Sequence, residues 1–146
     1  MAATLPIMLR QTILILEDDL TRIDRFKSVL SRFGSEYEMK FWRSAKEMTK
    51  ELDGCIQTAT LISLDHDLAP IEPGGQDPGD GLDVARFLAS HEPACPVIIH
   101  PSNVSRSEAM AGVLELEGWV IKRVPPIGED WIEVDWVSAA KKLISK

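Results

Sequence analysis

Runs of β-favouring apolar residues alternate along this chain with stretches in which apolar residues recur at helical spacing. Thr12-Ile-Leu-Ile-Leu16 is a continuous apolar run, the pattern of a central strand covered on both faces. After it, Ile23, Phe26, Leu30 and Phe33 fall at helical spacing, and Gly34 supplies a stop. Glu38 to Trp42 reads as a second strand. Ser44-Ala45-Lys46-Glu47 is a capping box that opens a second helix, with Met48 and Leu52 inward. Thr60 to Leu64 reads as a third strand, and Gly81 to Ser90 as a helix with Val84, Phe87 and Leu88 apolar. Pro96-Val-Ile-Ile99 is a fourth strand, and Ser102 to Glu117 a helix carrying Met110, Val113 and Leu114. Trp119-Val120-Ile121 is read as the fifth strand, before a last helix from Trp131 to Ile144 that buries Trp136, Ala140 and Leu143. Five βα units in succession predict an α/β fold: a single three-layer (βα)5 domain over residues 1–146, around a central parallel five-stranded sheet.

One segment breaks the rhythm. Residues 69–81, APIEPGGQDPGDG, have neither period, and a structureless loop that long inside a domain is a functional or mobile element. It leaves the third strand where polar residues gather. In open parallel sheets ligands bind beyond the carboxyl ends of the strands. Glu17, Asp18 and Asp19 follow strand one; Asp65, His66 and Asp67 follow strand three. His100, Ser102 and Asn103 follow strand four, and Lys122 and Arg123 follow the predicted strand five. Converging carboxylates repel, by roughly 4 kcal/mol for two charges about 4 Å apart at an effective dielectric of 20. A divalent cation with hard oxygen ligands relieves this, so Asp18 and Asp65 are expected to meet around a metal. Asp19 and Asp80 read as helix N-caps.

Composition narrows the function. The 146 residues carry 16 Lys+Arg against 23 Asp+Glu, a net charge of −7, and no basic stripe suited to phosphate backbones. Nucleic-acid binding by this chain is not expected. Cys55 and Cys95 have no metal-ligand spacing and read as reduced, half-buried residues of a cytoplasmic protein. Met1 to Gln11 lacks a signal-peptide pattern, and the longest apolar run is far below the ~20 residues of a membrane helix.

The segments ILILEDD, SLDHDL and PVIIH, with a lysine at the end of strand five, resemble the response-regulator receiver domain over nearly the whole chain. The resemblance implies a receiver, flavodoxin-like fold. It makes Glu17 and Asp18 a metal-holding pair, Asp65 the phosphoryl acceptor, the Asp67 carbonyl a metal ligand and Lys122 the site lysine. The departures are specific. His100-Pro101-Ser102-Asn103 stands where receivers carry Thr or Ser, and the prolines after Lys122-Arg123 are shifted to positions 125 and 126. His66 follows the acceptor-like aspartate, and the next loop is long. With Arg22 after LEDD, LDHDL, GLDVARFL and IHPSN, the chain is most similar to the cyclic-phosphate processing receiver domains.

That similarity implies a metal-dependent phosphohydrolase-like enzyme acting on a small cyclic phosphate, with Mg²⁺, or Mn²⁺, as cofactor. Glu17, Asp18, Asp65 and Asp67 would hold the metal. A metal-bound water or the Asp65 carboxylate would attack phosphorus, and His100 would protonate the leaving ring oxygen. Lys122 or Arg123 would stabilise the developing charge; adjacent strand residues point to opposite faces, so one of the two reaches the site. Ser102 and Asn103 would bind phosphate, or simply cap the fourth helix. Alternation puts His66 on the face opposite Asp65, where it either takes part or only packs. Residues 69–81 would form a lid. The alternatives are a stand-alone receiver phosphorylated on Asp65, with a signalling protein as partner, and a chemically silent binding module. The oligomeric state is left open.

Overall fold

The computed structural model describes residues 11–145. The segment read as lacking a signal peptide lies, up to residue 10, outside the described residues. Five parallel strands, β1 (Gln11–Leu16), β2 (Tyr37–Trp42), β3 (Ala59–Leu64), β4 (Val97–Ile99) and β5 (Ile121–Arg123), form one sheet in the order β2-β1-β3-β4-β5. Helices α1 (Leu20–Val29), α2 (Ala45–Cys55), α3 (Gly81–Ala89), α4 (Val104–Leu116) and α5 (Val137–Ile144) cross over between or after them.

The apolar run of β1 is buried because helices cover both its faces. Leu14, Leu16, Ile62, Leu64, Val97 and Ile99 pack against Met48, Leu52, Val84, Leu88, Met110 and Leu114 of α2, α3 and α4. Ile13, Ile15, Leu61 and Ile98 alternate with them and pack against Phe26, Val29 and Ala140 of α1 and α5 and against Trp131 and Trp136. The three-layer prediction is borne out.

Three predicted elements differ in detail. The fifth strand starts at Ile121, not Trp119. Gly118, at φ 88°, turns the chain out of α4, and the N–H of Trp119 bonds the Leu114 carbonyl, so this indole is buried as part of the α4 terminus. Ladder pairing begins where Ile121 meets Val97. Lys122 and Arg123 are therefore inside the exposed edge strand, not beyond its end. The last helix opens with a π-turn over Ile132–Trp136, in which the Trp136 N–H reaches back to the Trp131 carbonyl. The fourth helix starts at Val104, with Asn103 as its N-cap: the side chain accepts the Arg106 N–H at 3.1 Å.

The loop over residues 69–81 is fastened. Its start is held where the Ala69 N–H bonds Asp18 Oδ2 at 2.8 Å. Its middle is held where the Pro78 carbonyl accepts the N–H groups of Ala45 and Lys46 at the start of α2. Its end is held where the Gly81 N–H bonds the His66 carbonyl. Between this loop and α2 lies a cleft of about 600 Å³, lined by Ser44, Lys46, Lys50, Ile71, Gln76 and Asp77 among others. Nothing in these contacts draws the loop across Asp65, so it is a strap onto α2 rather than the predicted lid.

Candidate functional site

Strand alternation decides which side chains meet at the carboxyl edge. Ile15, Ser63 and Ile98 point toward α1 and α5, and so do the residues two positions on: Glu17, Asp65 and His100. One ligating atom from each of these three lies within 4.8 Å of the others, and all three residues are buried. Asp18 is not part of this group. It is one residue out of phase with Glu17, and its carboxylate is spent on the Ala69 N–H. Burial raises the Asp18 pKa, with Glu17 adding to the rise and the Ala69 N–H opposing it. The predicted pairing of Asp18 with Asp65 is replaced by one between Glu17 and Asp65.

Glu17 uses Oε2 to accept the N–H groups of Asp18 at 3.1 Å and Asp19 at 3.2 Å. Its Oε1 lies 3.4 Å from His100 Nε2 and 3.7 Å from Arg22 Nη1, and has no hydrogen-bond partner among the described residues. Burial pushes the Glu17 pKa up, but the His100 ring, the Asp19 N–H and Arg22 outweigh it and hold it below the ordinary carboxylate range. Asp65 goes the other way. Burial, helped by the Glu17 charge, lifts its pKa to about 6, although His100, Arg22 and the His66 N–H on Oδ1 at 2.8 Å pull it down.

His100 is fully buried. Its ring lies 5.8 Å from that of Phe26 and 5.5 Å from that of Trp131. Nδ1 faces Ser63 Oγ at 3.0 Å, while Nε2, unpartnered, faces Glu17. Arg22, the third residue of α1, lies over the Trp131 ring at 5.5 Å. Sequence reasoning noted Arg22 without giving it a role, because a cation on the first turn of a helix looks like any other. Its signal was its closeness to the β1 acids, within one turn of the Asp19 N-cap.

His66 is on the other face, as alternation predicts. Its Nδ1 meets Asp67 Oδ1 at 2.7 Å and its Nε2 lies 3.6 Å from Asp80 Oδ2, so it bridges the two acids flanking the loop. Asp80 and Asp83 form a reciprocal capping box at the start of α3, and Asp19 caps α1, as predicted. Ser102 is exposed. Trp119, Trp131 and Trp136 are buried packing residues, as expected, and Cys55 and Cys95 are free thiols, buried and half-buried.

The predicted strand-five cation is not beside Asp65. Asp65 is level with His100, since the step before it pairs Leu64 with Ile99; Ile99 in turn pairs with Arg123, which brings Val124 level with His100. Val124 is buried, and its N–H bonds the Ile99 carbonyl at 2.8 Å. Lys122 and Arg123 sit further down an edge strand and line a groove against α5 with Pro125, Asp135 and Lys142. The two-residue shift of the prolines toward the C-terminus is the sequence trace of this replacement.

A buried carboxylate pair with an orphaned oxygen, one member held at high pKa by burial, fits a small divalent cation. Among the described residues no helix is long and apolar enough to cross a membrane.

A family model described as the cyclic-phosphate processing receiver domain matches residues 13–116. No curated protein matches the chain. Among solved structures, the phosphorylated cyanobacterial phytochrome response regulator RcpA is similar with a TM-score of 0.69 at 14% identity, covering 93% of this chain and 95% of that one. The response regulatory domain of mrkE from Klebsiella pneumoniae gives 0.68 at 13% identity, covering 92% and 96%. A CheY-like receiver domain protein from Methanospirillum hungatei gives 0.66 at 17%, covering 92% and 94%. At such identities these likenesses establish the receiver fold.

Proposed function

The chain belongs to the cyclic-phosphate processing receiver domain family, and from that membership we propose that it is a metal-dependent phosphohydrolase that opens a small cyclic phosphate. One observation carries this reading: a fully buried His100 whose unpartnered Nε2 is directed at Glu17 and Asp65. A hydroxyl there would suit a phosphoacceptor; an imidazole brings a nitrogen donor to the reacting oxygens.

Glu17 and Asp65 would hold the cation, Mg²⁺ or Mn²⁺, with the Asp67 carbonyl as a further ligand. Such an ion supplies positive charge that offsets the carboxylates and receives a phosphoryl oxygen. Arg22, the guanidinium nearest Glu17, would take another phosphoryl oxygen in its planar fork. Ser102 and the free N–H groups at the start of α4 would bind the remaining oxygen. Water adds to phosphorus, one ring P–O bond breaks, and a phosphomonoester with a free hydroxyl results. The proton shed by water goes to the Asp65 oxygen that His66 does not engage, and from there to solvent. The alkoxide that leaves would be met by His100 Nε2 and takes up a proton from solvent. Soluble signalling partners and a cytoplasmic setting are compatible with this reading.

The experiment is direct. The protein with Mg²⁺ or Mn²⁺ is incubated with a panel of cyclic phosphates, and separately with acetyl phosphate, and followed by phosphorus NMR. Ring opening that disappears in Asp65→Asn and His100→Gln is the expected result. A stable phosphoryl group on Asp65 with no ring opening would replace the enzyme by the stand-alone receiver. Neither signal would leave a silent binding module.

A further inference from the structure

The hydrogen bonds behind His100 determine more than its orientation. Trp136 Nε1 donates to Ser63 Oγ at 3.0 Å, and the same oxygen lies 3.0 Å from His100 Nδ1. An indole N–H is a donor only, so Ser63 must be the acceptor in the first contact. Among the described residues its own hydroxyl hydrogen then has one hydrogen-bond partner, His100 Nδ1, and both Ser63 and His100 are fully buried. An unplaced hydroxyl hydrogen at such a site costs about 1–3 kcal/mol.

We propose that the Trp136–Ser63 pair holds neutral His100 in the tautomer whose hydrogen is on Nε2, making the ring a fixed hydrogen-bond donor toward the reacting phosphate rather than a metal ligand or a base. The direction of the relay is set at its far end. Trp136 is delivered to Ser63 by the π-turn: the Trp136 N–H bonds the Trp131 carbonyl at 2.8 Å, and the extra residue in that turn rotates the indole into the core. The turn is tied down by Glu133, whose carboxylate receives Arg25 at 2.8 and 3.0 Å and whose carbonyl receives Arg32 at 2.8 Å. On the front side, Phe26 and Trp131 flank the ring, so Nε2 points at Glu17 and Asp65. A nitrogen bearing hydrogen has no lone pair for a cation, so a metal in the cluster rests on the carboxylates. Trp136 and Ser63 are thus positioning residues that act through His100.

This inference rests on the phosphohydrolase reading only for its use, not for its geometry, and its test needs no substrate. Long-range nitrogen–proton NMR of the imidazole rings, with His100 assigned by comparison with His100→Gln, reports which ring nitrogen carries the hydrogen. The expected result is hydrogen on Nε2 in the wild-type protein; hydrogen on Nδ1 overturns the proposal. With a ring-opening substrate, Ser63→Ala and Trp136→Phe lower kcat about 10–100-fold with little change in KM. Ser63→Thr, which keeps the hydroxyl, recovers most of the rate. Wild-type kcat in both Ser63→Ala and Trp136→Phe overturns the proposal. Hydrogen on Nε2 with no cyclic phosphate opened would sink the functional reading and leave the relay standing. Ring opening with hydrogen on Nδ1 would do the reverse.

Discussion

His100 Nε2 and Glu17 Oε1 stand 3.4 Å apart, both side chains fully buried and neither atom hydrogen-bonded among the described residues. Each orphaned polar atom costs about 1–3 kcal/mol. A cation that takes up Glu17 Oε1 should therefore stabilise the fold. Mn²⁺ or Mg²⁺ at about 100 times its Kd is expected to add about 2.7 kcal/mol to the unfolding free energy. Urea denaturation with and without the ion measures this. Glu17→Gln should abolish the gain while leaving the metal-free protein folded, since the amide oxygen still accepts the Asp18 and Asp19 N–H groups. A wild-type curve indifferent to every divalent ion would remove the metal from the site.

Asp65 gives the fold a pH dependence of defined sign. Burial, with the Glu17 charge, raises its pKa to about 6 in the folded chain, against about 3.9 unfolded. The folded state thus binds this proton more tightly. Its contribution is fully present below about pH 4 and is lost as pH rises through about 6, to an extent of up to about 3 kcal/mol. Asp65→Asn isolates this effect. The variant should be more stable than wild type at pH 7.5, by an amount that shrinks toward zero near pH 4. Equal stabilities at both values would contradict the burial argument.

The cation in the site belongs to α1. Arg22 Nη1 is 3.7 Å from Glu17, whereas Lys122 is two register steps below Val124 on an exposed edge. Arg22→Ala should reduce ring opening about 10²-fold, the scale set by removing one preorganised charge-stabilising donor. Arg22→Lys should recover only part, because an ammonium cannot make the planar two-point contact. Lys122→Ala should stay within about twofold of wild type, as an exposed charge outside the site contributes little. Steady-state rates of the three variants decide between the helix and the strand as source of the charge.

The fold was legible because five apolar runs and their intervening helical periods agree with one another at every step. Alternation in the strands likewise put His66 on the face away from Asp65. The fifth strand was misplaced because Trp119 and Val120 have strong β propensity, and nothing local reveals that the Trp119 N–H closes the end of α4. The same phase argument, carried from Glu17 through Asp65 to His100, would have excluded Asp18 from the buried cluster. The Trp136–Ser63 contact spans 73 positions in sequence. It depends on a π-turn that no periodicity announces, so only the assembled core could reveal it.

Gly81 ties the strap to the site and gives the last prediction. Its N–H bonds the His66 carbonyl, and the first turn of α3 lies against the backbone of Asp65. A Cβ built on Gly81 would overlap the Asp65 carbonyl oxygen and reach 2.8 Å from Met110 Cε. The methionine can move aside, but the carbonyl cannot without turning the peptide that carries the Asp65 carboxylate. Gly81→Ala is therefore expected to cost about 1–3 kcal/mol, the range for overpacking a filled core, and to lower ring opening further than its stability alone accounts for. Gly54, on α2 with nothing within 4 Å of its added Cβ, supplies the control. Gly54→Ala should gain up to about 1 kcal/mol from helix propensity, with activity unchanged. Urea midpoints and initial rates of the two variants separate crowding at the Asp65 backbone from a general effect of replacing glycine.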